Sequence, residues 1–363
     1  MAKKIAFFNH KGGVSKTTTV FHIGWKMASL GKKVLIVDAD PQCNLTGLTL
    51  GLEDQYSLFA FYDSKKNTDI FNSLAPIFKL EDETDLKSAP TLVTETNNPN
   101  MFILAGNIKF SEIDIQIATA LTSSGTIPVL RKFIGAINKL ISDIIKKHNF
   151  DYVLIDMSPS VSATNQCIIM SSDYFIIPIS PDFYCYQAID SLSKLLPDWA
   201  RKIKEFRTGY DEYTLPENNP KMLGFISQNY RVYTTDNKDE SNQKSMSKSY
   251  MEWLDKIKEM AQRRLIPKLK ESDMIIGEDI FKRNISYDNP YHLAGIQNFN
   301  SLIPVSQKVS KPIFDLTQKD GKWAGATWER TNNDKEYGIK HNIQEADSVY
   351  KKLSESIIGM IES

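Results

Sequence analysis

The segment Asn9-His10-Lys11-Gly12-Gly13-Val14-Ser15-Lys16-Thr17-Thr18-Thr19 carries the densest chemistry in this chain. Glycines let backbone N–H groups turn toward one point, and a helix start adds partial positive charge. Such a loop forms a nest for phosphate oxygens. Lys16 then supplies a point charge to the β- and γ-phosphates, and the Thr17 hydroxyl is placed to ligate Mg2+. Carboxylates end two apolar runs further on: Asp38 and Asp40 after Val34–Val37, and Asp156 after Tyr152–Ile155. Two carboxylates spaced i, i+2 at a strand end point the same way, which suits a shared metal–water shell. A hard cation that keeps several waters and takes one carboxylate, a threonine hydroxyl and phosphate oxygens is Mg2+. The chemistry implied is nucleotide binding and phosphoryl transfer.

These residues need elements to hold them. Short β-branched or aromatic runs at Ile5–Phe8, Val34–Val37, Phe102–Leu104, Tyr152–Ile155, Tyr174–Ile179 and Leu223–Ile226 are continuous, as strands buried on both faces of a parallel sheet should be. Helical stripes lie between them. Residues 17–30 place Val20, Ile23, Met27 and Leu30 on one side, with Gly31 as the stop, and residues 127–146 repeat the pattern. Strands alternating with such helices predict a doubly wound, mostly parallel α/β sheet with helices on both faces.

Composition narrows the class. Lys+Arg and Asp+Glu are both 44, so any attraction to nucleic acid or membrane must come from local patches. Cys43, Cys167 and Cys185 form no CxxC pair, which argues for a reduced, intracellular chain without a zinc site. The N-terminal apolar run is too short for a signal peptide, and no stretch reaches the roughly 18–20 apolar residues of a membrane span. A cytoplasmic protein without membrane insertion is expected. One P-loop domain over 1–363 is expected, with an acidic insertion at 51–100 and an insertion at 231–277. Residues 228–250 read as an exposed polar loop leading into a basic amphipathic helix, and 343–362 as a C-terminal helix.

The loop departs from GxxxxGK[ST], since His10 and Ser15 stand where glycines belong. What remains, Lys-Gly-Gly-x-x-Lys-Thr, resembles the deviant Walker A signature of the ParA/MinD group of ATPases, closest to the ParA-like partitioning branch. Most members have glycine where this chain has Ser15. Val34-Leu-Ile-Val-Asp-Ala-Asp-Pro-Gln-Cys-Asn44 resembles the family's second motif, in which Asp40 is expected near the γ-phosphate and Mg2+, orienting the attacking water. Asp38 carries over too, or else caps the following helix. Phe150-Asp-Tyr-Val-Leu-Ile-Asp-Met-Ser-Pro-Ser160 resembles Walker B, so Asp156 is expected to reach Mg2+ through water. Leu223-Gly-Phe-Ile-Ser-Gln-Asn229 resembles the strand whose asparagine, here Asn229, reads the adenine edge. The resemblance spans roughly residues 3–50, 102–230 and 278–316.

In that family the additional lysine, Lys11 here, reaches across a nucleotide-sandwiched homodimer to the partner's ATP. The resemblance thus implies an ATPase with Lys11, Lys16 and Asp40 as catalytic residues. ATP would sit on Lys11, Gly12, Gly13, Val14, Ser15, Lys16, Thr17, Thr18 and Asn229, and Mg2+ on Thr17, Asp40 and Asp156. Weak turnover stimulated by a ParB-like or other activating protein is implied as well. The task stays open between classes. Residues 244–270 carry six lysines, two arginines and three acids, a local charge of +5, which suits non-specific DNA or equally a solvated face. Lys194, Arg201, Lys202 and Lys204 could extend it. The alternative is a regulatory or positioning ATPase that acts through a protein partner or a membrane. Residues 343–361 have an apolar stripe (Ala346, Val349, Leu353, Ile357, Ile361) without the basic excess anionic lipid attracts, favouring a helix packed on the core.

Overall fold

Continuous apolar runs become the centre of one sheet. The computed structural model describes residues 2–52, 54–64, 68–80, 93–209, 212–230, 232–234, 244–246, 248–285, 291–299, 301–332 and 335–363, with backbone alone at 55, 229, 232–234, 244–246, 330–332 and 335–337. The strands of the main sheet are β1 (Lys3–Phe7), β2 (Val34–Ala39), β3 (Thr94–Glu95), β4 (Met101–Leu104), β5 (Tyr152–Met157), β6 (Tyr174–Ile179), β7 (Lys221–Tyr230) and β8 (His292–Gln297). Their order is β8-β7-β6-β1-β5-β2-β4-β3. Every pairing is parallel except that of β3 with β4. Each residue of β2 and β5 is buried, so both faces of the sheet are covered.

The first helix, α1 (Lys16–Ser29), crosses from β1 to β2 and begins inside the glycine loop. Gly24 lets it lie close to the sheet, because a Cβ there would stand 2.8 Å from the Ile36 side chain. Gly31 follows at φ +84, where glycine carries no Cβ penalty. After β2 come α2 (Asn44–Leu50), α3 (Gln55–Asp63) and α4 (Ile70–Phe78). Among its described residues the 51–100 segment therefore holds two helices, each started by an aspartate. Asp54 accepts from the Ser57 N–H and Asp69 from the Asn72 N–H. Next are α5 (Glu112–Ser123), α6 (Arg131–His148), α7 (Ala163–Met170) and α8 (Phe183–Ile203).

The polar 228–250 stretch departs from the expected loop. β7 continues to Tyr230, and Val232–Thr234 pairs antiparallel with Lys244–Met246. Helix α9 (Lys248–Met260) runs through a π turn at Ala261–Leu265 into α10 (Ile266–Glu271), and Pro267 sits just beyond the turn. Leu254, Ile257, Ala261, Leu265 and Leu269 are buried, and this helical unit packs along α8.

The C-terminal helix, residues Ile339–Glu362, buries Ile343, Ala346, Tyr350, Leu353, Ile357, Met360 and Ile361. It packs against α1 and β8, so the apolar stripe seen in the sequence is core. His22 of α1 stacks on Tyr350 at 4.8 Å, and Lys26 pairs with Asp347. Among the described residues no helix is long and apolar enough to cross a membrane.

Candidate nucleotide site

Parallel register sets the site. Phe7 of β1 lies beside Asp156 of β5, and Asp156 lies beside Asp38 of β2. The glycine loop therefore emerges next to both acidic strand ends. Asn9 ties it down: its amide donates to the Pro178 carbonyl at 2.9 Å, and its side-chain oxygen accepts from the Lys11 N–H at 3.0 Å. Gly13 (φ +74) and Ser15 (φ +57) both take left-handed backbone, flanking the buried Val14. Ser15 is thus a serine in a conformation glycine adopts freely, at a cost of roughly 1 kcal/mol or more.

Lys16 opens α1 and is buried. Its Nζ donates to the Asn9 carbonyl at 3.1 Å and the Lys11 carbonyl at 3.4 Å, curling over the loop. Burial lowers its pKa, while Asp156 and then Asp40 oppose that shift. Asp156 is fully buried, and neither carboxylate oxygen has a hydrogen bond of normal geometry. Burial raises its pKa to about 8, Asp38 adds to this, and the Thr17 hydroxyl and Lys16 act against it. A buried carboxylate with two unpaired oxygens beside a threonine hydroxyl and a lysine fits a hydrated divalent cation, and Mg2+ suits this all-oxygen donor set.

The two aspartates of the second motif separate in role. Asp40 lines the cleft, with one oxygen accepting from the Gln42 N–H at 3.0 Å. Asp38 is wholly buried and accepts from the Thr46 N–H at 2.8 Å and hydroxyl at 2.7 Å. Thr46 in turn accepts from the Gly106 N–H at 2.8 Å. Asp38 therefore holds α2 and the β4 exit loop together. Burial raises its pKa to about 6, against the pull of the Thr46 hydrogen bonds.

The cleft over the loop measures about 930 Å3. Gly12, Gly13, Val14, Ser15, Lys16, Thr17, Thr18 and Asp40 line it, so the structure brings these predicted residues together. Pro159, just past Asp156, closes one side. Gln42, Cys43 and Asn44 of the second motif add to the wall, while other parts had no motif to announce them: Leu52 and Leu58 come from the acidic insertion, and Gln307 and Lys308 from the helix Leu302–Val309. Tyr62 of the same insertion donates to the Gly106 carbonyl at 2.6 Å, tying α3 to the Asp38 loop.

Lys11 does not line the cleft. Its Nζ pairs with Asp182, the residue that also caps α8 by accepting from the Cys185 N–H at 2.8 Å. Tyr184 lies 5.9 Å from the same ammonium. Asn229 belongs to the end of β7, and its side chain lies outside the described residues. Around the basic stretch, Arg263 pairs with Glu259, Lys268 with Glu271 and Lys270 with Glu278, while Lys256 lies over the Trp253 ring at 4.5 Å. Lys194 pairs with Asp190, and Arg201 and Lys202 with Asp198. Much of the α8 charge seen in the sequence is thereby locally balanced.

The family model for the AAA domain (AAA_31) matches residues 2–206, more than half of the chain. The sporulation initiation inhibitor protein Soj of Bacillus subtilis is 30% identical over 54% of this chain and 64% of its own length. The chromosome partitioning protein ParA of Caulobacter vibrioides is 26% identical over 53% of this chain and 61% of its own length. The matched region thus spans a little under two thirds of these two relatives. In structure, pNOB8 ParA bound to nonspecific DNA superposes with a TM-score of 0.55 at 17% identity, covering 100% of this chain and 99% of that one. McdA from Cyanothece in its ATP complex gives 0.55 at 18% identity, over 96% and 97%. Those two likenesses establish the shared fold. With the glycine loop, its two lysines and the acidic strand ends in register on such a sheet, the chain matches the AAA_31 model of AAA domains and belongs to the ParA/MinD-type P-loop family.

Proposed function

We propose that this protein is an ATP-driven partitioning switch: it binds MgATP, closes as a sandwich dimer, grips DNA without sequence preference, and lets go after hydrolysis. The observation that carries the reading is the glycine loop and Asp40 lining one cleft, with the unpaired Asp156 beside Lys16 and Thr17 of that loop. Gly12 to Thr18 cradle the phosphates through backbone N–H groups, and Lys16 swings from the Asn9 and Lys11 carbonyls onto the β- and γ-oxygens. Thr17, Asp40 and Asp156 would hold Mg2+, which when bound would supply positive charge to offset that on the transferring phosphoryl group. Asp40 orients the attacking water. Asn229 reads the adenine edge.

Lys11 is the dimer's contribution. In the free subunit it is engaged by Asp182, so closing on a partner's ATP means exchanging a carboxylate for phosphate oxygens. ATP then gates association and hydrolysis releases it, with turnover raised by an activating protein. The exposed cations of α9 and the π turn after it, Lys248 and Arg264 among them, form the DNA-facing side, and the relatives named for partitioning support this reading. The test is electrophoretic shift of random-sequence duplex with ATP, ADP or no nucleotide at rising salt. An ATP-dependent shift lost between about 50 and 200 mM salt is expected. No shift under any nucleotide, with ATP binding intact, overturns the DNA step and transfers the switch to a protein partner.

A further inference from the structure

We propose that Gln228 is a positioning residue which holds Ser15 of the phosphate loop in its left-handed conformation and ties that loop to the seat of helix α9. This deepens the reading of the loop as the ATP site and rests on it.

Ser15 and Gly13 supply the positive-φ turns that point the nest inward, and Ser15 alone does so against a Cβ penalty. Something must hold it. The Ser15 carbonyl accepts twice from Thr19, from its N–H at 3.0 Å and its hydroxyl at 2.7 Å. That hydroxyl has spent its one proton, so its oxygen can only accept from elsewhere. Gln228 fills the need: its amide donates to Thr19 Oγ1 at 2.7 Å. Thr19 and Gln228 are 0% and 3% exposed, so no water replaces this donor if it is lost.

The chain of contacts does not stop at β7. The hydroxyl of Tyr250, in the first turn of α9, donates to the Gln228 carbonyl at 3.2 Å. Seating of α9 therefore bears on the backbone of the residue that supports Ser15. A polar run from α9 through Gln228 and Thr19 ends at the carbonyl preceding Lys16.

The experiment is a double-mutant cycle. Gln228→Met keeps the volume and removes the amide; Ser15→Gly removes the need for support. MgATP affinity is read with a fluorescent ATP analogue and its displacement by ATP. Gln228→Met is expected to weaken binding roughly five- to tenfold with Ser15 present, and less than about twofold in the Ser15→Gly background. Equal losses in both backgrounds overturn the proposal. Tyr250→Phe tests the outer arm with little risk to folding: a loss of about twofold or more that disappears in Gln228→Met supports it, and an unchanged affinity overturns that arm. Wild-type protein that bound no ATP would overturn the ATPase reading instead. The same cycle read in nucleotide-free thermal midpoints would then decide the relay, coupling supporting it and additivity overturning it.

Discussion

If Asp182 holds Lys11 in the free subunit, weakening that hold should tighten the ATP dimer. The substitution to make is Asp182→Asn. Asparagine retains the side-chain oxygen that accepts from the Cys185 N–H, and it ranks with aspartate as a helix N-cap, so α8 should start unchanged. What disappears is the charge facing Lys11. The two side chains are 21% and 41% exposed, which places the pair in the half-screened range worth about 0.5–1 kcal/mol. Two subunits each release one lysine when a sandwich closes, so the dimer gains about 1–2 kcal/mol, or roughly five- to thirtyfold in its dissociation constant. Sedimentation velocity over a protein dilution series, with ATP and with ADP, measures this. The gain should appear with ATP only, shrink as salt screens the original pair, and vanish in Lys11→Gln, which should bind nucleotide as a monomer. A dimer no tighter than wild type, with the thermal midpoint preserved, would refute the idea that Asp182 competes for Lys11.

Other expectations follow from buried groups. Burial holds His22 at a pKa of about 4, and burial with Lys258 nearby does the same for His292. The unfolded chain titrates near 6.5, so the folded state binds fewer protons; stability is complete above that pH and drains away as pH falls toward 4. Each histidine accounts for roughly 3 kcal/mol over that window. Urea unfolding at about pH 7.5 and about pH 5 should show a smaller acid loss in His292→Gln than in wild type, and equal losses would be contrary evidence. Asp38→Ala should destabilise by about 2–3 kcal/mol, because it orphans the buried Thr46 N–H and loosens the Gly106 loop. Asp38→Asn, which keeps one acceptor, should recover part of the loss in thermal melts; an Ala variant as stable as Asn would contradict the structural role.

How much of this was legible in the residues depends on how locally each feature is encoded. The central strands announced themselves because a parallel strand covered on both faces reads as an uninterrupted apolar run, and β2 and β5 are buried throughout. The edge strand β8 gave no such signal, since His292–Gln297 mixes buried with half-buried positions around Gly295. The helices of the acidic insertion did leave marks, Asp54 three residues before Ser57 and Asp69 before an apolar run, but those marks sit within a charged segment that resembles a solvent-facing one. The phosphate loop was readable for a physical reason. Its geometry is backbone geometry, written in glycines and in one helix start, so residues 12–18 can be recognised together from their own sequence even though Pro178 and Gln228 help to hold them. Side-chain seating across elements is different in kind. That Leu58 walls the cleft, that Lys308 faces it, and that Lys11 meets Asp182 rather than open solvent depend on elements far apart in the chain, 171 positions in the case of Lys11 and Asp182. Polarity misleads there as well: Gln228 stands at the head of a stretch read as an exposed loop, yet its amide points inward at Thr19. A polar residue beside a loop is informative only once its donor and acceptor partners are known, and in this protein those partners lead from the phosphate nest to helix α9.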